Sequence, residues 1–195
     1  MESLAFQLMR VSQVIAHASE RKGGVLVHGA LAEWKGQGVL LEGISGAGKT
    51  TASKRLPSPW ISHCDDVTLI VKTPQGRFWA HPWPTWSRYS RGDLDAAWEV
   101  SRGTGLSAIF LIRRADADRV SPVSRRQAIA EILGASEHVA SPMAMGMERA
   151  VIRRLRRLRF DNIVNLVSAV PVSILDISMH GAFWGEIEKN LGVIP

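Results

Sequence analysis

The stretch LEGISGAGKTT, residues 41–51, constrains this chain more than any other part of its sequence. Its glycines and lysine have the spacing G-x-x-x-x-G-K-[ST] of a phosphate-binding loop, whose backbone N–H groups surround the phosphates of a nucleotide. An apolar strand is predicted before it and a helix after it, which is the context that this motif requires. The expected nucleotide-binding residues are Gly43, Ser45, Gly46, Ala47, Gly48, Lys49, Thr50 and Thr51.

Two residues of the loop have predicted chemical roles of their own. The ammonium group of Lys49 would neutralise charge on the terminal phosphates, and the Thr50 hydroxyl would be a ligand of Mg²⁺. We therefore expect ATP and Mg²⁺ to bind here. The alternative for such a stretch is a glycine-rich turn without a ligand.

A pair of carboxylates follows the loop at an unusually short distance. Asp65 and Asp66, in ISHCDD, come only sixteen and seventeen positions after Lys49, at the end of a predicted strand. Phosphoryl transfer uses one carboxylate to take the proton of the acceptor and another to hold the metal. The sequence predicts these two roles for this pair, and the alternative is a solvated turn or a helix cap. His28, in LVHGAL, is a further candidate, although a strand histidine is more often structural.

The rest of the chain predicts one α/β domain over residues 1–195, without linkers or repeats. A helix is expected at 3–20, with Leu4, Leu8, Val11 and Ile15 on its apolar face, and a nucleotide core at 23–70. The core begins with a hairpin across KGQG, whose glycines can adopt positive φ. Acceptor-side and C-terminal elements are expected at 78–195.

The later elements are predicted from turn and cap signals. The aromatic and proline-rich segment 78–89 is expected to be a loop or edge segment that packs over the core or lines a cleft. A short helix is expected at 93–101, then a buried strand in LSAIFLI. Ser124 is predicted to begin a helix that Gly134 ends, and Ser141-Pro142 to begin the next one. That helix would bury a stripe formed by Met143, Met147, Val151, Leu155 and Leu158.

Composition limits the classes of partner. The formal charge is +6, and arginine, which binds phosphates and carboxylates in bidentate fashion, supplies 18 of the 24 basic residues. This bias suits an anionic ligand or an acidic peptide, and equally a solvated surface. Segment 148–160, with six arginines, is expected to pack on the sheet with a basic outer face, and direct nucleic-acid binding is not expected. A single cysteine, no signal peptide and no membrane span predict a cytoplasmic protein.

Taken together, VHGALAEWKGQGVLLEGISGAGKT and HCDD resemble the catalytic core of the HPr serine kinase/phosphorylase family, which is similar to the ATP-dependent phosphoenolpyruvate carboxykinases. The resemblance covers residues 23–70. It implies a P-loop kinase core with a central mixed β-sheet flanked by helices, and transfer of phosphate to a serine. It also implies that Asp65 is the proton acceptor, Asp66 the metal-side aspartate and His28 a group near the transferred phosphate, beside Lys49.

The chain departs from that family downstream. The signature E-[IL]-R-G-L-G, which supplies a further metal-side glutamate in the family, has no counterpart here, and the next glutamate after Asp66 is Glu99. HPr is therefore not the expected acceptor. The aromatic loop and the C-terminal segment look more like the small HPr-kinase-related proteins of peptide-modification systems, such as the SynChlorMet cassette and the lasso-peptide tail kinases.

Three functions follow from these patterns. The first is an ATP-dependent kinase acting on a serine of a peptide or small protein. A homo-oligomer is compatible with this function. In this hypothesis Trp79, Trp83 and Trp86 shape the acceptor side, unless they pack in the core. The arginines that would contact anions, unless they are plain surface residues, are Arg88, Arg113 and Arg114. The second is a kinase for a small metabolite such as free serine. The third is an ATP-binding regulatory module without catalysis.

Overall fold

The computed structural model describes residues 4–44, 46–83, 99–144 and 146–192, with the side chains of 4–10 excepted. The helices are α1 (Leu4–Glu20), α2 (Lys49–Arg55), α3 (Arg125–Met143), α4 (Arg149–Ala169) and α5 (Phe183–Asn190). The strands are β1 (Val25–Trp34), β2 (Gln37–Glu42), β3 (Ile61–Cys64), β4 (Val67–Lys72), β5 (Phe78–Pro82), β6 (Thr104–Arg114), β7 (Arg119–Pro122) and β8 (Val172–Ile177).

These strands form one mixed sheet that returns on itself. The described order is β2-β1-β4-β5-β6-β8-β7, and β2 also pairs with β6, so that five strands form a closed circuit of pairings. β2, β6 and β8 run parallel, whereas β1 is antiparallel to β2, β3 and β4. The prediction of a mixed sheet flanked by helices is confirmed.

Two apolar clusters hold the helices against the sheet. Side chains alternate along β6, as in any strand, so that Ile109 and Leu111 pack with α3 and α4 while Phe110 and Ile112 pack with α2 and α5. This alternation explains why LSAIFLI is apolar at every position except Ser107: both of its faces are covered.

The predicted hairpin is confirmed, with one difference. Lys35 and Gly36 have φ of 48° and 81°, which is the geometry that a tight two-residue turn requires. Gly38, by contrast, lies within β2 and has no positive φ. A Cβ there would stand 2.8 Å from the Gly105 carbonyl oxygen, so the glycine permits the close approach of β6.

Helix α3 is longer than the sequence predicts. Ser124 caps it as expected, because its hydroxyl accepts a hydrogen bond from the Gln127 amide, but Gly134 does not end it. The cost of glycine within a helix, about 1 kcal/mol, is offset by burial of Ile132 and Ala135 in the core. Ser141 does not begin a new helix, since its hydroxyl donates to the Glu137 carbonyl within α3.

The apolar stripes predicted for two helices are also corrected. α4 begins only at Arg149, and Val151 is 43% exposed, because the face that packs against the sheet carries Ile163 and Leu166, about three to four turns later. On α1, Val11 and Ile15 are about half exposed, whereas Ala16 is buried.

The segment Phe78–Pro82 is an internal strand rather than a loop or edge. It pairs with β4 along its length and with β6 at Trp79 and Ala80. Pro82 stands at its end, where the missing N–H removes no internal pairing. Residues 84–98, which include most of the expected helix at 93–101, lie outside the described residues.

Candidate functional site

The predicted phosphate-binding loop connects β2 to α2 at the carboxyl edge of the parallel strands. Gly46 and Gly48 have φ of 83° and 105°, a left-handed conformation that favours glycine, and Gly48 is the residue from which α2 begins. Gly43 and Ala47 are buried, whereas Thr51 is exposed on α2 and Thr50 is half-buried in its first turn. Ser45 lies outside the described residues.

Lys49 is folded back into this loop. Its side chain is buried, and Nζ donates hydrogen bonds to the carbonyl oxygens of Gly43 at 2.6 Å and Ile44 at 3.2 Å. Burial lowers the pKa of Lys49, and the negative charges of Glu42 and Asp66 oppose that shift. The charges of both carboxylates therefore act on the ammonium group, which lies where phosphates would enter the loop.

Asp65 and Asp66 stand at the step between β3 and β4. Residues 25–28 of β1 pair with β4 and residues 31–33 pair with β3, with a register shift between Leu31 and Ala32. β1 thus separates the carboxylates from the strand of the phosphate loop. The two carboxylates are half-buried at the same edge as the loop, because Gly29 of β1 pairs with Glu42.

His28 contacts this pair directly. Its Nε2 lies 3.1 Å from Asp66 Oδ1. The hydrogen bond with His28 is the largest cause of a lowered pKa at Asp66, burial opposes it, and the charges of His28, Lys49 and His138 add to it. The structure therefore brings together three of the predicted residues, His28, Lys49 and Asp66. Asp65 is adjacent in the chain and makes no hydrogen bond to another described residue.

Sequence reasoning missed His138, which lies on α3. Its ring stacks on that of His28 with centroids 5.0 Å apart and an interplanar angle of 27°. No local signal pointed to it, because the helix was expected to end at Gly134. Two imidazoles and Lys49 therefore surround the Asp66 carboxylate.

Glu42, the last residue of β2, was also missed. It is 4% exposed, and its Oε2 has no hydrogen-bond partner among the described residues. Burial raises its pKa to about 7, with Glu131 adding to the shift and Lys49 and Arg113 opposing it. The signal was present in the sequence, because a carboxylate in an apolar strand directly before the loop is costly to bury unless another group pairs with it.

A scan against protein-family models matches residues 2–192 to the family described as SynChlorMet cassette protein ScmC. The chain belongs to the ScmC family. The predicted resemblance to proteins of the SynChlorMet cassette is thereby confirmed, whereas the relationship to HPr kinase stays a prediction. No curated protein matches the chain.

Other predicted residues of this ScmC-family chain lie farther from the loop or have structural roles. Trp83 is 7% exposed and packs in the core with Leu26 and Val67, whereas Trp79 is 41% exposed. Trp86 and Arg88 lie outside the described residues. Cys64 is buried, with Sγ 3.2 Å from the Val67 carbonyl oxygen, and burial raises its pKa, which makes it a packing residue.

The two arginines at the end of β6 lie near the site. Arg113 pairs with Glu131 at 2.6 Å, and Arg114 is exposed beside the phosphate loop. Among the described residues of this ScmC-family chain, no three His, Cys, Asp or Glu side chains are arranged to hold a metal by themselves. No helix in the same part of the chain is long and apolar enough to cross a bilayer.

Proposed function

We propose that this ScmC-family chain is an ATP-dependent kinase with a P-loop core, which transfers the γ-phosphate to the hydroxyl of a serine in a peptide or small protein. The observation that carries the proposal is the contact between His28 and Asp66 at the edge where Lys49 lies in the loop. Cations and a carboxylate adjacent to a phosphate-binding loop are the groups that phosphoryl transfer requires.

Lys49 has a direct role in this scheme. In the structure its Nζ is held by the Gly43 and Ile44 carbonyl oxygens, which are the neutral acceptors nearest to it. Phosphate oxygens in the loop are stronger acceptors for an ammonium group than carbonyls are, so Lys49 would turn to them when ATP binds.

The acceptor hydroxyl would lie at Asp65. The Asp65 carboxylate takes the hydroxyl proton as the serine oxygen forms a bond to the γ-phosphorus, and the bond from that phosphorus to the β–γ bridging oxygen breaks, releasing ADP. His28, held by Asp66, would donate to the transferring phosphoryl group. Asp65 is half-buried at the step between β3 and β4, so part of its surface is open to an incoming hydroxyl.

The donor set also fits Mg²⁺. Thr50 in the first turn of α2 and the Asp66 carboxylate supply hard oxygen ligands, and Mg²⁺ keeps several waters and phosphate oxygens instead of an all-protein cage. When bound, the ion supplies positive charge to the phosphates. Glu42 Oε2, which has no hydrogen-bond partner in the described part of the chain, adds a buried acceptor whose charge acts on Lys49.

The proposal is tested by transfer from labelled Mg-ATP, comparing the wild type with Asp65→Asn. The matched control is Asp161→Asn, an exposed aspartate on α4. The acceptors are serine-containing peptides, HPr and free serine. We expect one peptide to be labelled by the wild type and the control, with a loss of about 100-fold or more in Asp65→Asn.

The other results identify the alternatives. Labelling of free serine alone would show a kinase for a small metabolite. ATP binding by the wild type without transfer to any acceptor would contradict the kinase and favour a regulatory module that binds ATP.

A further inference from the structure

A cavity of about 270 Å³ adjoins the phosphate-binding loop on the side away from His28 and Asp66. It lies between α2 and the carboxyl ends of β6 and β8, whereas His28 and Asp66 belong to β1 and the β3–β4 step, on the other side of β2. Its principal lining residues are Ala47, Thr51, Arg55, Arg114, Ile177 and Met179.

The cavity is continuous with the loop itself. Ala47, Gly48 and Thr51 line it, and they are part of the segment that would enclose the phosphates. A ligand whose terminal phosphate lies near Lys49 and His28 can therefore extend into this cavity without crossing the acceptor side.

One wall of the cavity is fixed by Arg55. Its Nη1 donates to the Ser178 carbonyl oxygen at 2.8 Å, it also contacts the Gly181 carbonyl oxygen, and its guanidinium lies 5.3 Å from the centroid of the Phe183 ring. These contacts join α2 to the segment after β8. These contacts position one wall of the cavity before a ligand binds, which lowers the cost of ordering that wall on binding.

The remaining walls combine apolar and cationic surface. Ile177 is buried, and Met179 is 82% exposed at the mouth of the cavity. Arg114 is also exposed and makes no salt bridge with another described residue. A flat, apolar ring system fits beside Met and Ile side chains, and guanidinium groups stack on such rings or contact anionic oxygens.

We propose that this cavity binds the nucleoside half of the donor nucleotide, with the base beside Ile177 and Met179 and the ribose between Thr51 and Arg114. The inference rests on the proposed function, because it requires the phosphates to lie in the loop. It assigns recognition of the base to the end of β8 and the segment after it, which contain no residue of the phosphate-binding motif.

The test separates the nucleoside from the phosphates. Calorimetry with Mg²⁺ measures the binding of ATP and of inorganic tripolyphosphate to the wild type, to Ala115→Trp and to Ala169→Trp. Ala115 is exposed and lines the cavity, whereas Ala169 is equally exposed at the end of α4 and is a matched control. We expect Ala115→Trp to weaken ATP by about tenfold or more and to leave tripolyphosphate unchanged.

Two other results would overturn the inference in different ways. Unchanged ATP affinity in Ala115→Trp would exclude this cavity as the subsite and leave the proposed kinase intact. Absence of binding of both ligands to the wild type would contradict the proposed function and this subsite with it.

A second measurement needs no variant. Peroxide converts exposed methionine to its sulfoxide, and mass spectrometry follows each site separately. ATP should slow oxidation of Met179 several-fold, whereas tripolyphosphate should not, and Met147, which lies before α4, should oxidise at the same rate throughout. Equal oxidation of Met179 with and without ATP would contradict the proposal.

Discussion

Nε2 of His28 lies 3.1 Å from Oδ1 of Asp66, and the His138 ring stacks on the His28 ring with their centroids 5.0 Å apart. The hydrogen bond from His28 is the largest cause of the lowered pKa of Asp66. In His28→Ala we therefore expect the pKa of Asp66 to rise towards its ordinary value, because burial then acts with less opposition.

Carboxyl carbon shifts followed by NMR through an acid titration measure this change. His180→Ala removes an exposed histidine after β8 and is the control. An Asp66 titration that is identical in His28→Ala and the wild type would contradict the assignment of the contact.

Lys49→Met tests the role of the buried ammonium group. Methionine preserves the length and apolar part of the side chain, so the loop remains packed, but no charge is left for phosphates. We expect ATP to bind about 10- to 100-fold more weakly, which corresponds to the loss of a hydrogen bond to a charged group. Lys54→Met, an exposed lysine on the same helix, should bind ATP as the wild type does. Calorimetry measures the affinity of each variant for ATP, and equal affinities would show that Lys49 does not contact the phosphates.

Glu42 should make stability depend on pH. Its pKa rises from 4.5 to about 7 in the folded protein, so the native state binds the proton more tightly than the unfolded chain does. This contribution is fully present below about pH 4.5 and is lost as the pH rises through about 7. Relative to Glu42→Gln, the wild type should lose free energy of unfolding on the order of 3 kcal/mol over that interval.

Urea unfolding at several pH values measures the difference between these two proteins. Glu99→Gln, at an exposed position, serves as the control. A constant difference between wild type and Glu42→Gln across the interval would show that Glu42 has the same affinity for protons in both states.

Helix α1 is attached to the domain by a buried ion pair. Arg159 donates from Nε to Glu20 Oε1 at 2.8 Å and from Nη1 to Glu137 Oε1 at 2.7 Å, and Glu20 and Arg159 are both buried. Glu20→Gln leaves the guanidinium with one carboxylate instead of two, which should cost about 3 kcal/mol of unfolding free energy.

Arg156 provides the comparison for this prediction. It also pairs with Glu137, at 3.0 Å, but its side chain is 61% exposed. Arg156→Ala should therefore cost less than about 1 kcal/mol in the same urea experiment. Equal losses in the two variants would show that burial does not decide the strength of these pairs.

The parts of the site that sequence reasoning could predict are those set by local spacing. The turn at Lys35 and Gly36, the start of α2 after Gly48 and the step at Asp65 each depend on a few adjacent residues. Backbone conformation at such positions is decided by glycine, proline and the alternation of side chains, which the sequence displays directly.

The parts that were missed depend on residues far apart in the chain. Gly134 was expected to end a helix, but the burial of Ile132 and Ala135 keeps the helix intact, and only a helix of that length brings His138 to His28. The strand Phe78–Pro82 is likewise defined by its pairing with β4 and β6. Local propensity does not contain such tertiary contacts.

The step from β3 to β4 determines where the chain can change its length over evolution. Ser58 and Pro59, in the connection from α2 to β3, are exposed, so insertions there would leave both carboxylates in place. Between Cys64 and Val67, a one-residue insertion that shifted the register of β4 would turn every side chain of that strand to the opposite face of the sheet. Insertions among relatives of this architecture should therefore occur before Ile61 and be absent after Cys64. The number of residues between Lys49 and Asp65 should vary, whereas the number between Asp65 and Val67 should stay constant.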